Sequence, residues 1–209
     1  MDNTSPPKFG ASFWDERYAN NFAMYGTTAN DFVRAVAHRI PEGPVLVIAA
    51  GEGRDAVFAA ELGHQVTAID LSSVGLENAQ TLAAQRGVEL ETIVADLADF
   101  DFGESCWAGI ISVWAHVPPA LRKKVHASCV RGLMPGGVMV FEAYAPEHLN
   151  KPGKGGPPNV ELLVEREVAR QELNGLDFEL CQEVLRDVQE GEGHVGLSLT
   201  TQVLAVKPL

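Results

Sequence analysis

The 209-residue chain carries 16 basic and 28 acidic side chains, a net charge of -12, and is 46% hydrophobic. That composition supports a full core and excludes wholesale disorder. Without a basic cluster, the acidic balance makes a phosphate backbone a poor partner and points to a small-molecule substrate. No stretch approaches the ~18 uninterrupted apolar residues of a membrane span, so no membrane association is expected.

The amino terminus, Met1-Asp2-Asn3-Thr4-Ser5-Pro6-Pro7-Lys8, lacks the basic and apolar pattern of a signal peptide and reads as a loose tail, leaving a cytoplasmic location as the default. Cys106, Cys129 and Cys181 form no CxxC pair and read as reduced, mostly buried thiols. The histidines show no metal-ligand spacing such as HExxH, so no metal site is expected. One domain covering residues 1–209 fits this length, with residues 1–40 as an amino-terminal helical lid segment. Nothing in the sequence bears on the oligomeric state.

In chain order, residues 9–40 read as helix in pieces, broken near Tyr25-Gly26 and stopped by Ile40-Pro41. Thr28 or Asn30 is placed to cap the piece Asp31–Arg39. Val45–Ala49 is a wholly apolar strand, as expected when both faces of a parallel sheet are covered. Gly51-Glu52-Gly53-Arg54 follows, then a helix over 54–62 stopped by Gly63, and a second strand, Gln65–Ile69, tipped by Asp70. Ser72 or Ser73 caps a helix reaching Arg86 and ending at Gly87.

Glu91–Ala95 is a third strand leading to Asp96-Leu97, and Trp107–Val113 holds a fourth. A helix spans Pro119–Leu133, and Met134-Pro135-Gly136-Gly137 leads into a fifth strand, Val138–Ala143. The segment 150–159, rich in Gly and Pro, reads as irregular, and Val164–Leu173 as a short helix. Leu176–Val188 and Val195–Val206 form a hairpin at the sheet edge across a glycine-rich turn. The expected architecture is thus five strand–helix units plus a hairpin, an α/β sheet with helices on both faces. Ligands of such sheets collect beyond the carboxyl ends of the strands.

The candidate site residues fall at those ends. Gly51 and Gly53 permit close approach of a ligand to the backbone, although a plain turn remains the alternative. There is no GxxxxGK[ST] loop for a triphosphate, and Ala56 stands where the third glycine of a dinucleotide fingerprint would fall. Asp70 is placed to accept both hydroxyls of a ribose, or else to cap the next helix. Asp96 is placed to bind the amino group of a base, with Leu97 beside it.

Ser112, Trp114 and His116 follow the fourth strand, where Trp114 would wall a pocket. His116 reads equally as a general base or as a cap for the helix at Pro119. Trp14, Arg17, Tyr18 and Tyr25 make an aromatic lid with one cation. Glu142 and Tyr144 are expected on opposite faces of the fifth strand, so that at most one reaches the pocket. Asp55 suits the positive end of the helix that Arg54 opens.

Together these phrases resemble the class I S-adenosylmethionine-dependent methyltransferases, and more closely the small bacterial tellurite-resistance and thiopurine-type branch. The resemblance rests on Phe13-Trp14-Asp15-Glu16-Arg17-Tyr18, Gly51-Glu52-Gly53-Arg54-Asp55-Ala56, Val66-Thr67-Ala68-Ile69-Asp70-Leu71-Ser72 and Ala95-Asp96-Leu97. It continues through His116-Val117-Pro118-Pro119, Leu133-Met134-Pro135-Gly136-Gly137 and Glu142-Ala143-Tyr144, so it covers nearly the whole chain from Phe9.

The resemblance implies a Rossmann-like seven-stranded sheet ordered 3-2-1-4-5-7-6 with an antiparallel last strand. It also implies S-adenosyl-L-methionine as cofactor. The Gly51–Gly53 turn would face its methionine part, Asp70 would bind ribose and Asp96-Leu97 adenine. Ser112 and Trp114 would line the methyl side, His116 would serve an oxygen or nitrogen nucleophile, and Trp14, Tyr18 and Tyr25 would close over the cofactor, with Ala49, Arg17, Arg54, Leu71 and Val113 as further cofactor-binding candidates. Ala50 departs from the branch, which often places glutamate there. The expected activity is methyl transfer to a small nucleophile such as a thiol or another soft chalcogen. The rival readings are a catalytically silent nucleoside-binding or interaction protein and an NAD(P)-dependent oxidoreductase.

Overall fold

A computed structural model describes residues 10–209; the loose tail expected at Met1–Lys8 lies outside them. The centre of the molecule is β1 (Pro44–Ile48), whose alternation divides the core in two. Val45 and Val47 belong to one buried cluster and Leu46 and Ile48 to the other, which is why the strand is apolar throughout. Parallel to it run β2 (Gln65–Asp70) on one side and β4 (Trp107–Val113) on the other. Outside these lie β3 (Glu91–Val94) and β5 (Leu133–Tyr144).

The hairpin of β6 (Asp177–Glu190) and β7 (His194–Val206) completes the sheet. β7 inserts antiparallel between β5 and β6, giving the order β3-β2-β1-β4-β5-β7-β6 that the resemblance implies. Only β6 is the edge strand of this hairpin. β5 begins earlier than its apolar run suggested, because Leu133 already pairs with Trp107 before a register shift brings Val138 opposite Gly109.

Helices cover both faces. α2 (Asp31–Val36), α3 (Arg54–Glu61) and α4 (Ser73–Arg86) contribute Phe32, Val57 and Leu76 to the first cluster. α5 (Pro119–Gly132) and α6 (Arg166–Glu172) contribute Val125, Cys129 and Ala169 to the second. The caps are local chemistry. Asn30 accepts from the Val33 N–H at the start of α2 and Ser72 Oγ from the Gly75 N–H at the start of α4, while left-handed Gly87 ends α4.

Two expectations change. β3 is followed by a turn rather than a helix, so four strands, not five, lead into helices. The short connection works because the chain re-enters the sheet at β4 across residues 95–106, where Asp96 and Asp101 close tight turns on the Ala98 and Gly103 N–H groups. Of the three cysteines, all free, only Cys129 is buried, whereas Cys106 is exposed in the loop before β4. α1 (Ala11–Asn20) lies outermost, across the amino end of α4.

Candidate active site

The carboxyl ends of β1 and β2 are tied together by Asp70. Its carboxylate accepts the Gly51 N–H at 2.8 Å and the Ser72 N–H at 2.8 Å, so the acid holds the glycine turn and the first turn of α4 at once. Burial raises its pKa, and those backbone donors oppose the rise. Gly51 and Gly53 are both left-handed, at φ +53° and +81°. A Cβ on Gly53 would fall 2.4 Å from the Ala79 Cβ, so glycine there lets α3 start hard against α4.

A Cβ on Gly51 would fall 2.6 Å from Tyr18 Oη, and one on Gly75 2.9 Å from Tyr18 Cδ2. α1 therefore rests directly on the glycine turn and the start of α4. α1 is anchored by Asp15, which accepts from Ser72 Oγ at 2.6 Å. Glu52 anchors the segment after α1, accepting from the Ala23 N–H at 2.7 Å and Asn78 Nδ2 at 3.1 Å, while its Oε2 is buried without a partner among the described residues. Burial raises the Glu52 pKa.

Trp14 stacks on Tyr18 with centroids 5.8 Å apart, and Tyr25 meets Tyr18 edge-on at 6.4 Å. The Arg17 guanidinium lies 5.9 Å from the Trp14 ring and 5.7 Å from the Tyr25 ring, with its Nε buried and without a partner among the described residues. Beyond β3, Asp96 is exposed and Leu97 buried, so a carboxylate is presented beside an apolar floor. Ala49 and Leu71 are half-buried at the ends of their strands, and Ala49 is itself left-handed at φ +49°.

On the other side of β1 the site is built from side chains. Trp114 leaves β4 at φ +57°, a conformation that is costly for a bulky residue and is held in place by its surroundings. Its ring stacks on Tyr144 at 4.3 Å and on His194 at 5.1 Å, and its indole N–H donates to Glu190 Oε2 at 2.7 Å. Tyr144 is enclosed by His148 at 4.0 Å and by Gly155 and Gly156, where a Cβ would collide with the phenol. Burial raises the Tyr144 pKa and keeps the phenol protonated, with its hydroxyl hydrogen-bonded to His194 Nδ1 at 2.7 Å. Burial, then the Arg54 charge, lowers His194 to about 3.

His116 lies beside this stack, 5.7 Å from the Tyr144 ring. Its Nδ1 is 3.1 Å from the Leu162 carbonyl, which can only accept, so Nδ1 carries the proton and Nε2 a free lone pair. That Nε2 is buried without a partner among the described residues, and burial lowers the pKa to about 4. His116 does not cap α5, whose start has no side-chain cap. Ser112 is buried in β4 opposite Ile48 and Phe141, with its side chain on the α5 face rather than among the rings. Val113 lies on the other face with the first cluster.

Glu142 and Tyr144 share one face of β5, contrary to the expectation of opposite faces. Residues two apart on a strand point the same way. Glu142 is fully buried and accepts two bonds from Arg186, at 2.9 and 2.8 Å, with further bonds from Asn30 and Gln202. Arg54 donates to the Tyr25 carbonyl at 2.7 Å and to Glu190 at 2.5 Å. Burial alone would lower its pKa, but Asp55 and Glu190 raise it. Asp55 accepts the Asn30 N–H at 2.8 Å.

The structure thus places Trp14, Arg17, Tyr18 and Tyr25 next to Gly51, Gly53 and Asp70, and links them through His194 to Trp114 and His116. The sequence reading misses Asn30, His148, Arg186, Glu190 and His194. The one signal for them was Glu142, an acid inside an apolar strand that requires a buried cation.

Residues 45–137 match the family model for a methyltransferase domain. No curated protein matches the chain. Among solved structures, one described by the conversion of a disulfide bond into a thioacetal group during echinomycin biosynthesis superposes with a TM-score of 0.72 at 19% identity, over 95% of this chain and 93% of that one. The N-methyltransferase NodS from Bradyrhizobium japonicum, in complex with S-adenosyl-L-homocysteine, gives 0.69 at 15% identity, over 95% and 98%. TehB from Haemophilus influenzae gives 0.69 at 15%, over 93% of this chain and 67% of that one.

Proposed function

We propose that this chain, whose residues 45–137 match a methyltransferase domain and whose sheet has the strand order of the class I fold, moves the methyl group of S-adenosylmethionine to a small nucleophile, a thiol or another soft chalcogen. The observation that carries this reading is the meeting, at the ends of β1 to β3, of the Gly51 turn, the Asp70 carboxylate and the exposed Asp96, next to Trp114. These residues fit the cofactor chemically. Asp70 with Leu71 would take the ribose hydroxyls, and Asp96 with Leu97 the adenine. Ala49, Gly51, Gly53, Arg54 and Val113 would line the methionine part, under Trp14, Arg17, Tyr18 and Tyr25.

The bound cofactor supplies an activated methyl group, and this chain supplies alignment and a dry surrounding. Tyr18 and Trp14 exclude water over the glycine turn, and Trp114 walls the methyl side with Ser112 behind it in the sheet. A thiolate needs little help in losing a proton. A nitrogen or oxygen nucleophile would pass its proton to His116 Nε2, whose lone pair is free. Support for sulfur comes from the neighbour associated with a disulfide-to-thioacetal conversion.

Calorimetry with S-adenosylmethionine, S-adenosylhomocysteine and NAD tests the reading: the first two are expected to bind and NAD to show no heat. A methyl-transfer screen across thiols, selenite, tellurite and small heterocycles then identifies the acceptor. Ala50 in place of glutamate, and Tyr18 packed on Gly51, favour one alternative, a silent nucleoside-binding protein. That alternative predicts binding without transfer to any acceptor in the screen.

A further inference from the structure

Glu190 sits outside every motif in the sequence, at the last position of β6, yet its carboxylate is the meeting point of four chain segments. Oε2 accepts from the Trp114 indole at 2.7 Å and from Arg54 Nη2 at 2.5 Å; Oε1 accepts from Asn30 Nδ2 at 2.8 Å and Arg186 Nη2 at 2.9 Å. It is 5% exposed, so none of these donors competes with bulk water. Such a fully subscribed carboxylate has no remaining capacity for a ligand, which makes it a support for other groups rather than a contact.

The group it supports most consequentially is Trp114. That residue holds a left-handed backbone at φ +57°, and its ring is fixed by the Tyr144 stack on one side and by the indole N–H bond to Glu190. Arg186 also lies over the same ring at 5.9 Å and is held to Glu142 and Glu190. The hairpin tip carrying Glu190 is in turn fastened to the lid, where the Glu192 and Gly193 N–H groups donate to the Met24 carbonyl. Removing Glu190 from Trp114 leaves a strained residue with one restraint fewer.

We propose that Glu190 is a positioning residue: through its bond to the Trp114 indole it holds that ring against the sulfonium side of the cofactor, and so sets the preference for the methylated over the demethylated cofactor. The inference rests on the methyl-transfer reading above and deepens it. The physical basis is that an aromatic face attracts a cation and gains nothing comparable from a neutral thioether. A ring held in register therefore discriminates S-adenosylmethionine from S-adenosylhomocysteine, whereas a ring free to turn does not.

The test needs no acceptor, because the readout is the ratio of the two cofactor dissociation constants, measured by calorimetry on the full chain. Glu190→Asp keeps the charge facing Arg54 and Arg186 but withdraws the oxygen from the indole, and Glu190→Gln keeps the reach and loses the charge. The expected result is that Glu190→Asp weakens S-adenosylmethionine about fivefold relative to S-adenosylhomocysteine, of the size of a partly desolvated cation–ring contact. Glu190→Gln should hold the ratio within about twofold, even where its melting temperature drops. In a Trp114→Phe background, Glu190→Asp should no longer move the ratio.

A ratio unchanged in Glu190→Asp, or lost in Glu190→Gln and kept in Glu190→Asp, overturns the proposal and leaves Glu190 a structural charge. An equal effect of Glu190→Asp with and without Trp114 does the same. If the parent binds neither cofactor, the methyl-transfer reading fails instead.

Discussion

The two sides of the candidate site are made in different ways. Around the ends of β1 to β3, backbone does most of the work: left-handed glycines, N–H groups gathered by Asp70, and helix starts capped by a neighbour. Around the ends of β4, β5 and β7, side chains from distant segments do it, through stacked rings and a buried net of Glu142, Glu190, Asp55, Arg54, Arg186 and Asn30. A backbone cradle is constrained by conformation and tolerates few residue types at each position. A side-chain net is constrained by charge balance, and a loss anywhere leaves a buried ion exposed to no solvent and no partner.

The largest effect should therefore come from the second side. Glu142→Ala strips Arg186 of its two-point partner and leaves Asn30 and Gln202 each one acceptor short, and it should cost about 3–5 kcal/mol in chemical denaturation. A loss under 1 kcal/mol would mean that water or Glu190 takes over the pairing. On the first side, Asp70→Ala should weaken S-adenosylmethionine at least tenfold, about 1.4 kcal/mol, by calorimetry. Equal affinity in parent and variant would remove the ribose assignment.

The comparison also has a pH signature. His116 and His194 are held neutral, at about 4 and about 3 in the folded chain, against roughly 6.5 when unfolded. Between these values the unfolded chain binds more protons, so stability should fall as pH drops from about 6.5 and level off below about 3. The buried acids Asp70, Asp55 and Glu52, raised by burial, act in the opposite sense as they protonate. His194→Phe should flatten the acid limb of a melting-temperature profile, and an unchanged slope would place the acid sensitivity elsewhere. The smallest effect is expected for Asp96→Ala. The side chain is exposed, so the melting temperature should stay within about 1 °C, as for ordinary surface changes, while cofactor affinity falls severalfold.

The same contrast explains what could be read from the sequence. Val45–Ala49, Gly51, Gly53 and Asp70 are neighbours along the chain or one strand away, and local rules place them. The sheet order came with the family resemblance, because seven strands alone allow many orders. Asn30 was legible only as a cap, since its second task, joining Glu142 to Glu190, spans 112 and 160 positions. His194 and Glu190 fall within the glycine-rich connection between Val188 and Val195, and only the insertion of β7 beside β5 puts them against Trp114. The error over Glu142 and Tyr144 was of another kind. The two-residue period of a strand decides their side outright, and the bulky Tyr144 is buried on the same face as the acid.

The position of β7 has a consequence for synthesis. Because residues 194–206 fill the gap between β5 and β6, a growing chain that has already emerged through Tyr144 carries a long apolar margin with every other amide unpaired. Such a margin invites pairing with another nascent copy until the last stretch arrives to occupy it. Ribosome-bound fragments ending before residue 194 should depend on chaperone capture, and release of the final strand should end that dependence.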